Sequence, residues 1–302
     1  MSVSFYCSPT HLKLLIGSTG ASGITISDYA EYPLPEGGMI NGIITDQDIM
    51  TRYFHDIGNQ LGLFREEAYL VVDNNSIRSK VMDLPPVAEA KMLEFIKREL
   101  SAAGDESAND VFDYAVLSPK AENGGARILA VAVNRELLET YRSVLVSAGF
   151  DLKHINIGVN AKIRAAAVMP QLRTGTSILA MVDEKAFILS MFENGRYRIT
   201  NKYRLMTAEN TPEWHTEIGN HLSAMVQFQK SQRSDSEISA AYFAGITPRQ
   251  TELLASALGY LGIQLLGLDF ASITKLTGNA AAKQAEFTPG KYLLNIGTML
   301  RK

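Results

Sequence analysis

Apolar positions come in short alternating blocks over the first thirty residues, and they predict strands at Val3–Cys7, Leu12–Ile16 and Ile24–Tyr32. The period then changes. Ile49, Tyr53, Ile57 and Leu61 recur every four residues with Met50 and Phe54 beside them, which predicts one face of a helix. Thr45 is the expected N-cap, with Asp48 three residues on, and a strand is expected at Tyr69–Asp73.

From Ser76 to about Leu152 the pattern restarts with its own set of elements. A strand at Ile77–Leu84 ends at Pro85-Pro86, and a helix carries Met92, Leu93, Phe95, Ile96 and Leu100. The polar loop "AAGDESAND" leads to strands at Phe112–Leu117 and Ile128–Val133, then to a helix from Arg135 to Ala148 stopped by Gly149. That is enough for an inserted α+β subdomain. A strand at Lys153–Ile157 and a helix around Ala161–Val168 follow, and "PQLRTGTS" reads as a link.

The second half opens on "MVDEKAFILSMFENGRYRIT" (residues 181–200), read as strands Val182–Phe192 and Tyr197–Thr200 around Glu193-Asn194-Gly195. Asp183 is conspicuous there, because a carboxylate at the head of a buried hairpin is costly unless it caps a turn or serves a ligand. Thr211-Pro212-Glu213 starts a helix whose inner face is Ile218, Leu222, Met225, Val226 and Gln229. A strand at Ala241–Ala244, a capping box at Thr247–Gln250, a helix through Leu261, a strand at Gln264–Leu268 and a closing helix near Gly290–Leu300 complete the chain. Two strand-rich halves, each opening on a hairpin, predict duplicated α/β units with a ligand cleft between them.

Composition narrows the function classes. The 302 residues suit two domain-sized units, and 46% hydrophobic residues suffice for a substantial core. Twenty-nine basic against 32 acidic residues leave a net charge of −3, so no global field recruits nucleic acid. The expectation is a cytoplasmic protein without direct membrane insertion: no signal-like start, no apolar window near the ~18 residues of a membrane span, and one cysteine, Cys7.

Candidate chemistry is sparse. "GSTGASG" (residues 17–23) resembles a phosphate loop, but a strand follows it where phosphate binding needs a helix N-terminus, so a turn is expected. The five histidines show no metal-ligand spacing, and His55 reads as structural. Arg196, Arg198, Lys202 and Arg204 have strand-like spacing and read as a solvated face.

Several phrases taken in order resemble one family. "LPEGGMINGIITD" precedes the first long helix, with Ile40-Asn41-Gly42-Ile43 one residue shorter than the family's step. Leu84-Pro85-Pro86, "VAVNRELLETYRSVLVSAGFDL" (residues 131–152), "QFQKSQ" (residues 227–232), "YFAG" and the final "YLLNIGTMLRK" follow. The chain resembles the FtsA/PilM group of the actin-like superfamily, and within it the PilM family of type IV pilus assembly. The resemblance implies an α/β actin-like (duplicated RNase H-like) two-domain fold with an inserted α+β subdomain. Its parts would be 1–75 with 153–172 (subdomain 1A), 76–152 (the insertion, 1C) and 173–302 (domain 2).

It also implies a scaffold rather than an enzyme. The partner would be the N-terminal cytoplasmic peptide of a PilN-like bitopic membrane protein, with other pilus platform proteins as further contacts. Location would be peripheral, at the inner face of the cytoplasmic membrane. Residues at the crossings into and out of the insertion, Val72, Ile77, Leu152 and Ile155, are the expected peptide contacts. The family's Pro-Phe step after the first helix of the insertion is missing.

Actin-like ATPases hold phosphate on two hairpins that each carry Asp-x-Gly. Here Tyr6 and Ser8 stand at the first aspartate and glycine, and Pro9 removes another donor. The second hairpin keeps Asp183 with Lys185 in place of glycine, and the adenosine-side loop keeps Gly245 but lacks a second glycine. The expectation is a degenerate nucleotide cleft in which Asp183 caps its turn or pairs with Lys185. The alternative is an ATP–magnesium site rewired through Lys185, in an ATPase or an FtsA-like filament.

Overall fold

The computed structural model describes residues 1–20, 23–86, 88–101, 109–119, 124–232 and 237–300. The chain divides into two compact units, 1–12 with 31–160 and 13–30 with 161–302.

The first stretch gives β1 (Ser2–Cys7), β2 (His11–Thr19) and β3 (Ile24–Pro33), close to the expected strands. Gly20 N–H donates to Gly23 O at 2.8 Å, so the glycine-rich stretch is a reversal between strands. Next comes a ribbon that the hydrophobic pattern missed, β4 (Met39–Ile40) and β5 (Ile43–Ile44). Its turn is Asn41-Gly42 with φ of 51° and 75°, the left-handed pair that a two-residue hairpin needs.

Helix α1 (Gln47–Leu61) starts one residue later than expected: Asp46, not Thr45, is its cap, accepting the Ile49 N–H at 2.9 Å. Thr45 Oγ1 is occupied elsewhere, donating to Gly37 O. The buried face is Met50, Phe54, Ile57 and Gly58, so Ile49 and Tyr53 lie beside the core stripe rather than in it. Strand β6 (Glu67–Val72) follows and runs parallel to β1.

The insertion contains β7 (Arg78–Asp83), α2 (Glu89–Ser101), β8 (Asp110–Ser118), β9 (Arg127–Asn134) and α3 (Arg135–Ser147). Most of "AAGDESAND" lies outside the described residues. The three strands form an antiparallel sheet in the order β7-β9-β8. One face of it, with Phe112, Ile128, Ala130 and Ala132, packs on Phe95, Ile96 and Leu100 of α2.

Strand β10 (Asp151–Ile157) returns to pair parallel with β6. The unit's core is aromatic: Phe5 meets Phe54 and Phe150 edge-on, with centroids 5.5 and 5.0 Å apart. His55 is structural, as expected: it stacks on Phe64, and its Nδ1 is 3.1 Å from Ala148 O. Burial pushes the Tyr141 phenol of α3 well above its ordinary value, and its O–H donates to Gly42 O at 3.0 Å, tying α3 to the β4–β5 ribbon.

Beyond α4 (Gly158–Val168) and a 3₁₀ turn at Pro170–Leu172, the quoted hairpin proves to be three strands rather than two. These are β11 (Thr176–Asp183), β12 (Ala186–Glu193) and β13 (Arg196–Arg204). The unbroken run of strand formers hid the reversal at Glu184-Lys185, where Glu184 has φ of 55°.

Helix α5 (Pro212–Ser231), capped by Thr211, buries all five expected residues. Then come β14 (Ile238–Ala244), α6 (Pro248–Ala257) behind its Thr247/Gln250 capping box, and β15 (Gln264–Gly267). Strand β16 (Thr274–Leu276) and the short α7 (Gly278–Ala282) precede α8 (Leu293–Met299), every residue of which is buried.

The second unit's five-stranded sheet has the order β13-β12-β11-β14-β15, antiparallel through the first three strands and parallel through the last three. Along the chain both halves read strand, strand, strand, helix, strand, helix, strand, once the β4–β5 ribbon and the insertion elements other than α3 are set aside. Among the described residues no helix is long and apolar enough to cross a membrane.

Candidate functional site

Two places collect the residues singled out above, one in each unit. In the second unit Asp183 closes β11 and is almost fully buried. Lys185, one of its expected partners, is exposed on the Glu184-Lys185 reversal. Asp183 pairs with Lys13 of β2, 170 positions away in sequence, whose ammonium donates to its Oδ1. Both side chains are nearly inaccessible, at 4% and 1% exposure.

Lys13 is held from behind as well, since Asn295 Nδ2 of α8 donates to its carbonyl at 3.1 Å. The carboxylate therefore carries its own counter-charge. A hydrated magnesium ion near Asp183 would meet a resident ammonium, whose repulsion at low dielectric opposes binding.

Gly245 lies at the end of β14, beside the end of β11. Its φ is 89°, and a Cβ there would fall 1.9 Å from Val182 O. Gly290 approaches from the other side, where its own Cβ would lie 2.4 Å from Gly245 N. Close packing of three backbone segments explains the glycine without a ligand. Gly245 thus lies against Val182, the residue before Asp183, while Lys185 is exposed on the reversal beyond it.

The first hairpin is also committed internally. Ser8 N–H and Oγ–H both donate to His11 O, at 2.8 and 2.9 Å, and His11 N–H donates to Ser8 Oγ. Tyr6 is buried at 3% exposure. The basic run on β13 is broken by a bulge opposite Met191/Phe192, which places Arg196 out of step with Lys202 and Arg204. Arg198 pairs with Glu193, so no continuous cationic face results.

The first unit contains a cavity of about 170 Å³ lined by residues of the insertion and of β10. Register explains its wall. Val111 pairs with Val133, Asp113 with Val131 and Ala115 with Leu129, so these six share one face of the inserted sheet. That is the face opposite α2. Leu138 of α3, Asn160 of α4, and Ile155, Asn156 and Ile157 of β10 complete the lining with Tyr114 of β8. Asn160 Nδ2 donates to Asn156 Oδ1 at 2.8 Å, which fixes the polar end.

A bulge at Lys153 shifts the register of β10, so Leu152, Ile155 and Ile157 align with Ala68, Leu70 and Val72 on one face of β6. Of the four residues expected at a partner groove, Ile155 lines the cavity. Val72 is packed away at 1% exposure and is core. Leu152 and Ile77 are half-buried outside the lining. The lining residues of β8 and β9 escaped the sequence reading, although their signal was present. "VFDYAVL" alternates bulky Phe112 and Tyr114 with smaller or polar Val111, Asp113 and Ala115.

The cavity falls below the 300–1,000 Å³ or so usual for small-molecule sites. It suits individual side chains of a longer ligand. Strand β10 ends the order of its sheet and β8 ends that of the inserted sheet, so each has an edge without a strand partner in the described sheets.

No protein-family profile matches the chain, and no curated protein matches it in sequence. Solved structures do match. The chain is similar to a PilM–PilN type IV pilus biogenesis complex with a TM-score of 0.81 at 14% identity, covering 99% of this chain and 98% of that one. It is also similar to a protein of Bacteroides thetaiotaomicron with an actin-like ATPase fold and unknown function (TM-score 0.54, 10% identity, 94% of each chain). The cytoplasmic domain of EpsL, an inner-membrane component of the Vibrio cholerae type II secretion system, gives 0.50 at 11% identity, covering 99% of this chain and 95% of that one. Together with the repeated element order, these likenesses establish an actin-like fold, with an inserted α+β sheet in its first half.

Proposed function

We propose that the chain is an actin-like scaffold of a type IV pilus or related secretion machine, held at the inner face of the cytoplasmic membrane by its partners. Its main ligand is the N-terminal cytoplasmic segment of a PilN-like membrane protein, bound extended in the cavity between the inserted sheet and β10. Other platform proteins bind elsewhere, and nucleic acid is not a ligand. The observation that carries this reading is the aliphatic wall of Val111, Leu129, Val131 and Val133 facing Ile155 and Ile157 beside an open strand edge. An extended peptide gains backbone hydrogen bonds from such an edge and specificity from side-chain pockets.

The nucleotide cleft is degenerate on this reading. Asp183 is neutralised by Lys13, Gly245 is used in packing, and the first hairpin offers Ser8 and Pro9 where phosphate-binding amides are needed. ATP with magnesium is then not a working cofactor, and the chain is not an enzyme.

Fluorescence anisotropy with a labelled peptide from the cognate PilN-like N-terminus tests the reading. Affinity on the order of micromolar is expected, because a flexible segment loses ordering entropy when it binds. Ile155→Asp should weaken binding at least tenfold while leaving the circular dichroism melt within a few degrees of the parent. Absence of binding at several hundred micromolar protein overturns it.

A further inference from the structure

The cavity wall is aliphatic with one charged exception. Asp113 stands in the middle row of the inserted sheet's open face, paired in register with Val131, which pairs in turn with Ser79. It is exposed, and its Oδ1 accepts the neighbouring Tyr114 N–H at 2.8 Å. No described cation pairs with it. The cations of β7, Arg78 and Lys80, lie on the opposite face, in register with Ala132 and Ala130, and are engaged there with Asp110 and Glu99. On the same strand the even positions Phe112 and Tyr114 pack on the core beneath α2, so the alternation holds Asp113 on the cavity side.

A carboxylate among Val111, Val131 and Val133 loses hydration when an apolar segment covers that wall. Left unpaired, it would oppose binding. A cation on the ligand removes that penalty, and the charge-assisted bond then discriminates among otherwise similar aliphatic segments.

We propose that Asp113 is the specificity-determining residue of the cavity and pairs with a lysine or arginine of the bound segment. This rests on the peptide-binding reading above and names the chemistry of its ligand: an extended aliphatic segment carrying one basic side chain. The rival account is that Asp113 is an inward-pointing charge that protects the edge of β8 from strand pairing, with no part in recognition.

The probe is the fluorescein-labelled N-terminal peptide of the cognate PilN-like protein, made also with each basic residue changed singly to Glu. Binding is read by anisotropy against the parent protein, Asp113→Asn, Asp113→Lys and Ile155→Asp, each checked by its circular dichroism melt. The expected result is about a tenfold loss for Asp113→Asn and a larger one for Asp113→Lys. One Glu peptide should bind the parent poorly and recover on Asp113→Lys, and that recovery should diminish with salt. Tight binding that is lost in Ile155→Asp but unchanged across the Asp113 variants overturns the proposal alone and leaves the peptide reading standing. A cognate segment without lysine or arginine does the same. Failure of the parent to bind any of the peptides overturns both.

Discussion

Replacing Lys13 by Met isolates the buried pair at the head of the second hairpin. Both side chains are sequestered from water, so the substitution leaves the Asp183 carboxylate charged, dehydrated and without its cation. Removing one member of such a pair costs about 3–5 kcal/mol, a large part of the 5–15 kcal/mol or so that holds an ordinary domain together. For a unit of this size that is a fall in Tm of about 6–20 °C. The assay is urea unfolding followed by the fluorescence of Trp214, the only tryptophan, which is 1% exposed in the second unit's core and reports on that unit alone. It belongs to the same core cluster as Ile218, Leu222 and Phe187. Lys13→Met with Asp183→Leu should recover most of the loss, since replacing both members of a buried pair is often neutral. A Lys13→Met cost under about 1 kcal/mol, or a parent protein whose Tm rises by several degrees with millimolar ATP and magnesium, would refute the argument that Lys13 already occupies the cation's place.

Three further outcomes follow from individual contacts. Steady-state ATP hydrolysis should stay far below the 1 per second or so of ordinary enzymes, because the first hairpin has Tyr6 in the carboxylate's place, the Ser8 N–H donated to His11 O and no N–H at Pro9; faster turnover abolished by Asp183→Ala would contradict this. Gly245→Ala should cost about 2–5 kcal/mol, from a Cβ 1.9 Å from Val182 O together with a left-handed backbone, whereas Gly259→Ala, whose Cβ meets nothing within 4 Å, should stay within about 0.5 kcal/mol in the same unfolding assay. Burial pushes the Cys7 thiol up to about 12, so it should react with Ellman's reagent only after unfolding. The sign for stability follows from that shift. The unfolded thiol ionises first, so the contribution is full below pH 9 and is lost as pH rises towards 12, and Cys7→Ala should flatten that fall.

Periodicity made most of the elements legible. The α5 stripe, the Thr247–Gln250 box and the inserted strands stand where the apolar pattern put them, because local propensity and burial agree there. Misses occurred where a turn used unusual residues. Glu184-Lys185 carries no glycine or proline, so a reversal inside a run of strand formers gave no signal. Asn41-Gly42 was a clear hairpin signal that went unused because its strands are two residues long. The cap moved from Thr45 to Asp46 because Thr45 was claimed by Gly37 O.

The site was less legible than the fold. The pairing of Asp183 with Lys13 joins residues 170 positions apart and cannot be read from spacing. The cavity depends on the register of β8 against β9, which decides that Val111, Asp113 and Ala115 face it while Phe112 does not. Ile155, at the return from the insertion, lines the cavity, whereas Val72, at a strand end beside the insertion, is packed into the core by neighbours that spacing does not reveal.

The central claim, that the insertion and β10 form a peptide groove, is tested most directly by amide hydrogen exchange with and without the PilN-like peptide. The account predicts slowed exchange at β8 and at Ile155–Ile157, the strands that line the cavity, with the second unit's five-stranded sheet unchanged. Saturated peptide with protection confined to that second sheet, and none at β8 or β10, would contradict it.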